Sequence, residues 1–112
     1  MKRSSKYGNV KMVVDGRVFA SKREAARYQE LRLLLRAGEI DDLTCQPVFG
    51  CDVNGIHVCN YIGDFSYVLL SPAHSGLGVR VVEDVKGRDT PISRLKRKLV
   101  RAVYGIAVVI VK

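Results

Sequence analysis

An α/β fold built on a mixed β-sheet is predicted by three stretches of the sequence. Val79 to Gly87 reads V-R-V-V-E-D-V-K-G, a valine-rich strand closed by glycine, and a helical and then an apolar segment follow it. Together they make a strand–helix–strand unit over residues 79–111, the form that joins parallel strands. Ser21 to about Arg36 carries a helix-start signal and an apolar stripe. Asn54-Gly55 between two strand-like runs is the strongest hairpin signal in the chain.

In chain order, residues 1–9 (M-K-R-S-S-K-Y-G-N) are polar, basic and aperiodic, which predicts a flexible arm able to add phosphate contacts. Residues 10–112 are expected to form a single domain. Val10–Val14 and Arg17–Ala20 flank Asp15-Gly16, whose positive φ angles suit a two-residue turn. Ser21 and Glu24 have capping-box spacing, and Gly38 is placed to end that helix. Ala25, Tyr28, Leu31 (or Arg32) and Leu35 mark its stripe, widened by Leu34. Glu39–Thr44 reads as a connector. Pro47 cannot donate to a ladder, so Cys45–Phe49 is expected at an edge or at the start of a strand.

Val48–Asp52 and Ile56–Asn60 form the hairpin around Asn54-Gly55, and Tyr61–Leu70 continues as a strand carrying Asp64. Ser71–Gly78 is a Pro- and Gly-containing loop. Thr90-Pro91 opens the second helix, Thr as N-cap and Pro at the first helical position. Its expected apolar stripe is Ile92, Leu95, Leu99 and Val103, with Val100 and Ala102 beside it and Lys96 near the boundary. Ile106–Val111 is nearly all apolar, as a buried parallel strand requires.

Composition narrows the functional classes. Of 112 residues, 47% are hydrophobic, enough for one core, but no run approaches a membrane span of about 20 apolar residues. Lys2 and Arg3 lead into polar residues, not into a signal-peptide core, so a cytoplasmic location is expected. The three cysteines (Cys45, Cys51, Cys59) lack C-x-x-C pairing or nearby histidine spacing, which speaks against structural zinc and for free thiols. A net charge of +8 points to a polyanionic partner, most simply nucleic acid.

Strand parity puts Asp84 and Lys86 on one face, Glu83 and Val85 on the other, with Asp84 and Lys86 roughly 7 Å apart along the rail. Asp64 interrupts an apolar, aromatic strand, where a lone carboxylate is costly unless paired or bound to a cation. If the two strands are neighbours, Asp64 and Asp84 repel unless a divalent cation relieves them, and hard oxygen donors suit Mg²⁺ or Mn²⁺. Arg94, Arg97, Lys98 and Arg101 follow on a helix able to hold a polyanion backbone. His57 and His74 are expected at the surface. Tyr28 and Tyr61 are expected to pack, not to stack on bases.

Asp64 followed about 20 residues later by Asp84-Val85-Lys86, with Glu24 on the preceding helix, resembles the PD-(D/E)XK nuclease superfamily. D-G-x-x-F-x-S-K-x-E-A-x-R-Y (Asp15–Tyr28), A-G-E-I (Ala37–Ile40), Q-P (Gln46-Pro47), Y-I-x-D-F (Tyr61–Phe65) and E-D-V-K-G (Glu83–Gly87) resemble small phage and prophage endonucleases. That family is grouped with phage recombination and Holliday-junction endonucleases and distantly with transposase-type nucleases. The resemblance spans roughly residues 7–110. It implies a restriction-endonuclease-like core, a central mixed sheet flanked by two helices. It further implies Glu24, Asp64 and Asp84 as metal ligands, the Val85 carbonyl joining them, and Lys86 as catalytic lysine. Gln46 would sit at the site's edge. Gly63 stands where many members of the superfamily have proline.

The expected activity is therefore metal-dependent hydrolysis of DNA phosphodiesters by metal-activated water. Branched or recombination DNA in a phage or prophage context is the expected substrate, recognised through backbone and shape. Family analogy adds a symmetric homodimer. A nuclease-fold DNA-binding accessory protein without turnover fits charge and fold equally, and an RNA-directed nuclease is a further alternative.

Overall fold

The computed structural model describes residues 11–70 and 78–112. The arm expected over residues 1–9, Val10 of the expected first strand, and residues 71–77 of the loop expected over Ser71–Gly78, His74 among them, lie outside the described residues, whereas Gly78 is already strand.

Strands β1 (Met12–Val14) and β2 (Arg17–Phe19) form a small hairpin. Asp15 and Gly16 at its turn take φ of +51° and +74°, the positive values the sequence calls for. Helix α1 (Lys22–Arg36) starts where Ser21 Oγ accepts the Glu24 amide at 3.1 Å. Ala25, Tyr28 and Leu31 are buried, as the stripe predicts, and close a core cluster with Phe19, Ile40, Phe65 and Tyr67.

Strand β3 (Ile40–Cys45) replaces the expected connector. Its alternation is broken in the sequence because Asp42 adopts φ of +52° and the register shifts between Asp41 and Thr44, so no simple period marks it. Pro47 then precedes β4 (Val48–Val53), which pairs with β5 (Ile56–Ile62) through Asn54-Gly55 as expected. These two strands form a separate ribbon.

The single strand expected over Tyr61–Leu70 is split at Gly63-Asp64. Before the break, β5 belongs to the ribbon; after it, β6 (Phe65–Leu70) enters the main sheet. Gly63 donates its amide to the Pro47 carbonyl at 3.0 Å, and an added Cβ there would meet Val82 Cγ1 at 3.1 Å. Proline would lose that bond and crowd that contact, which explains glycine at this position.

The main sheet runs β3–β6–β7–β8, with β7 (Gly78–Val85) antiparallel to β6 and parallel to β8 (Val108–Val111). Helix α2 (Pro91–Tyr104) makes the crossover between β7 and β8. Thr90 Oγ1 accepts the Ser93 amide at 3.1 Å, and Gly105, at φ +71°, ends the helix. Phe65, Tyr67, Val81 and Val85 face the α1 cluster, whereas Val108 packs with Val100 of α2. The sheet is thus flanked by helices on opposite faces, an α/β arrangement as the sequence predicts. Strand β8 is half-buried at the sheet's edge, not the buried strand its composition suggests.

The expected stripe of α2 is not its buried face. Ile92 and Leu95 are 68% and 59% exposed, while Val100 is fully buried and Ser93, Lys96, Arg97 and Leu99 are half-buried. The helix is turned by about one residue, roughly 100°, from the stripe its hydrophobic residues draw. Its first turns border a cleft lined by Pro91, Ile92, Ser93 and Lys96, and farther along Leu99 and Val100 pack into an apolar cluster. Among the described residues no helix is long and apolar enough to cross a membrane.

Candidate functional site

A cleft of about 1240 Å³ opens where β7 ends, between the N-termini of α1 and α2. Glu24, Asp64, Asp84, Val85 and Lys86 all line it. Carboxyl ends of strands in α/β sheets are the usual seat of ligands, since loops and helix N-termini converge there.

Asp64 and Glu24 are held by backbone amides. Asp64 sits in the break between strands: its amide donates to the Glu83 carbonyl at 2.9 Å, and its carbonyl accepts the Gln46 amide at 2.8 Å. Its Oδ2 accepts the Val85 amide at 2.6 Å, tying it to the strand of Asp84. Glu24, in the first turn of α1 and 6% exposed, accepts the Ala20 amide on Oε2 at 3.1 Å. That is one residue earlier than a capping box places the bond, so Glu24 keeps a capping role while its side chain reaches the cleft. Gln46 acts through its backbone and does not line the cleft.

Asp84 and Glu83 part as strand parity requires. Asp84, 6% exposed, enters the cleft, while Glu83 turns to α1 and accepts from Nε and Nη2 of Arg27, at 2.8 and 2.6 Å, and from the Tyr67 hydroxyl. Lys86 leans back along the rail, so its Nζ stands 3.5 Å from Asp84 Oδ2, closer than backbone spacing alone gives. Its amide donates to the Val111 carbonyl at 2.9 Å, which fixes the residue beyond the end of β7.

Tyr61 was not legible as part of this site. It is buried, and its hydroxyl donates to Asp84 Oδ2. Burial first, then the bond to Asp84, pushes its phenol far above the usual range, so it remains a donor. The only sequence signal was its place in the Y-I-x-D-F block.

The cations at the rim differ from those expected. Lys22, Arg23, Arg88 and Lys96 line the cleft with Lys86, whereas Arg94, Arg97, Lys98 and Arg101 do not. Arg97 is 13% exposed and bound by both nitrogens to Asp89, at 3.0 and 2.5 Å, and to Ser93 Oγ at 2.7 Å. This bond holds the Asp89 carboxyl below its ordinary range. Arg97 thus braces the loop before α2, a consequence of the rotated helix. Arg94, Lys98 and Arg101 are exposed on its outer side.

Asp64 is the titrating centre of the cluster. Burial, a hydrogen bond with Glu24 that requires a proton, and the nearby charges of Glu24 and Asp84 push it from 3.8 up to about 8, against the Val85 amide, which lowers it. A carboxyl raised in the folded state contributes fully to stability below its unfolded value and loses that contribution as pH rises to the folded value. In EDTA, the contribution of Asp64 to stability should therefore fall from about pH 4 to about pH 8. Asp64→Asn should gain on the native chain across that window and level off above it. Urea midpoints for both proteins against pH check this; a constant difference contradicts it.

The donor set, three carboxyls and a carbonyl, fits a hard divalent cation such as Mg²⁺ or Mn²⁺. Among the described residues no three His, Cys, Asp or Glu side chains stand as a ready cage for a metal ion. Asp84 Oδ2 is taken by Tyr61 and neighbours Lys86.

No curated protein and no solved structure matches the chain. A family match spans residues 4–109, and the chain belongs to that family, described as a protein of unknown function, DUF1064.

Proposed function

We propose that this chain is a divalent-cation-dependent endodeoxyribonuclease. The observation that carries the proposal is the convergence of Glu24, Asp64, Asp84 and Lys86 in one cleft whose rim is basic. Two helix N-termini border the same cleft, and their free amides favour phosphate. Glu24, Asp64, Asp84 and the Val85 carbonyl would hold the cation, which supplies Lewis-acid polarisation of the phosphodiester and eases deprotonation of water. Lys86 offsets negative charge that develops on the phosphate, from a position fixed by the β8 ladder. Tyr61 orients Asp84. Lys22, Arg23, Arg88 and Lys96 hold flanking phosphates as point charges, which favours recognition by backbone and shape.

Glu24 separates capping from ligation. Glu24→Gln retains an oxygen for the Ala20 amide but removes the charge. A loss of cleavage of about a hundredfold with near-native thermal stability is expected; near-native cleavage would leave Glu24 a cap only.

The rim is tested in metal-free binding of duplex DNA by the Asp84→Asn protein. Arg88→Ala and Lys96→Ala should each lower the slope of log affinity against log salt by about 1, and Arg101→Ala should lower it less. A larger effect at Arg101 than at Arg88 and Lys96 would return binding to the outer face of α2.

Branched or recombination DNA is the proposed substrate, in the cytoplasm of a host cell if the chain is phage-encoded. A symmetric homodimer, resting on the family resemblance, would bring two sites to two strands. The bare Ile92, Leu95 and Val103 of α2 give it an apolar contact face. Sedimentation showing monomer both free and on DNA would remove the dimer. A catalytically silent DNA-binding protein is favoured by one observation, the prior engagement of Asp84 by Tyr61 and of Asp64 by the Val85 amide.

A further inference from the structure

The ribbon β4–β5 carries two thiols that neither the cleft nor the core requires as thiols. Cys51 and Cys59 are direct partners in the antiparallel register. Facing residues on such a ribbon have Cα atoms about 4.5–5.5 Å apart, inside the range a disulfide spans. The pair lies on the ribbon's inner side, in the cluster with Tyr61 and Val100, where the Cys51 thiol donates weakly to the Phe49 carbonyl at 4.0 Å. Cys51 is fully buried, whereas Cys59 is half-buried and open to a small oxidant. The adjoining shift of register between Cys51 and Asp52 marks a bulge, where a ribbon can twist to close the remaining gap. Cys45 stands apart on β3, packed against the other core cluster.

We propose that Cys51 and Cys59 form a reversible intrachain disulfide, a modification site for peroxide. The Cys59 thiolate attacks one peroxide oxygen, the O–O bond breaks, and one water leaves once its oxygen is protonated, which leaves a sulfenic acid. The Cys51 sulfur then attacks the Cys59 sulfur, loses its proton, and displaces the sulfenic oxygen as a second water. Two thiols are oxidised and one peroxide is reduced to two waters. A dithiol reverses the bond by exchange.

The linkage would clamp the two strands two residues before Tyr61, whose hydroxyl holds Asp84. The bond needs none of the chemistry assigned to the cleft.

The test is treatment of the full chain with hydrogen peroxide, followed by non-reducing intact mass and peptide mapping. The expected result is a loss of about 2 Da, the two thiol hydrogens, with a Cys51–Cys59 linked peptide that dithiothreitol reverses. Cys45→Ser should leave it unchanged and Cys59→Ser should abolish it. Cys51→Ala, which suits the buried position, should convert the product to a sulfenic acid trapped by dimedone. A link through Cys45, an intermolecular link, or overoxidation of Cys59 in the native chain without any link would overturn the proposal.

Discussion

Under the proposed function, Asp84→Asn is expected to lower DNA cleavage by at least about a hundredfold while fold and DNA binding persist, and Lys86→Ala is expected to do the same. The expectation rests on how little else the two side chains do. Asparagine at 84 still offers an oxygen to the Tyr61 hydroxyl, so the bond that holds the side chain survives. What it lacks is the negative charge a cation requires. Lys86 is joined to the fold by its amide, bonded to the Val111 carbonyl, and alanine keeps that bond. Truncation leaves Asp84 without its 3.5 Å ammonium neighbour, and would leave a phosphate at Asp84 with only the cations of the rim. Cleavage rates beside melting curves and metal-free DNA binding separate chemistry from folding. Either variant retaining most of its activity removes the assignment.

Arg27→Ala destabilises the protein by about 3 kcal/mol, the scale for stranding one partner of a buried ion pair. Glu83 is 2% exposed and receives Arg27 at 2.6 Å on one oxygen and 2.8 Å on the other. The hydrogen bond to Glu83 raises the Arg27 pKa further, and the guanidinium stays charged across all working pH. Tyr67 also donates to Glu83, and its phenol is pushed up to about 12, chiefly by burial and then by that bond. Alanine at 27 leaves a buried carboxylate with the Tyr67 hydroxyl alone. For a chain of this size the melting temperature should fall by more than about 10 °C, and Arg27→Lys, which keeps charge but not the fork, should fall less. A fall of under about 3 °C for alanine would show the pair to be dispensable. The pair also ties α1, one turn beyond Glu24, to the residue beside Asp84, so it aligns the two halves of the cleft.

Local rules carried the sequence furthest. The Asn54-Gly55 and Asp15-Gly16 turns, both helix caps and the parallel partnership of β7 with β8 follow from short-range chemistry. So does the parting of Glu83 from Asp84, because a strand's period of two is rigid. Features set by long-range contact were hidden. Strand β3 was masked by a bulge at Asp42, and the break at Gly63-Asp64 was masked because Ile62 and Phe65 read as one apolar run. The rotation of α2 was hidden for a different reason: its first turns turn Ser93 and Lys96 to the cleft, so hydrophobicity pointed about one residue away. Arg97 looked like a surface cation until Asp89 bound it, and Lys96 looked marginal although it faces the cleft. Tyr61 belonged to the site through a single hydroxyl, which no apolar pattern reveals.

The measurement that bears most directly on the central claim is cleavage of matched linear duplex, single-stranded and four-way-junction DNA in Mg²⁺, Mn²⁺ or EDTA, with Asp84→Asn alongside. Cutting that requires the cation, disappears in the variant and is fastest on the junction is the predicted result. Tight binding by a folded protein with no cutting of any substrate would contradict it and make the chain a DNA-binding accessory protein.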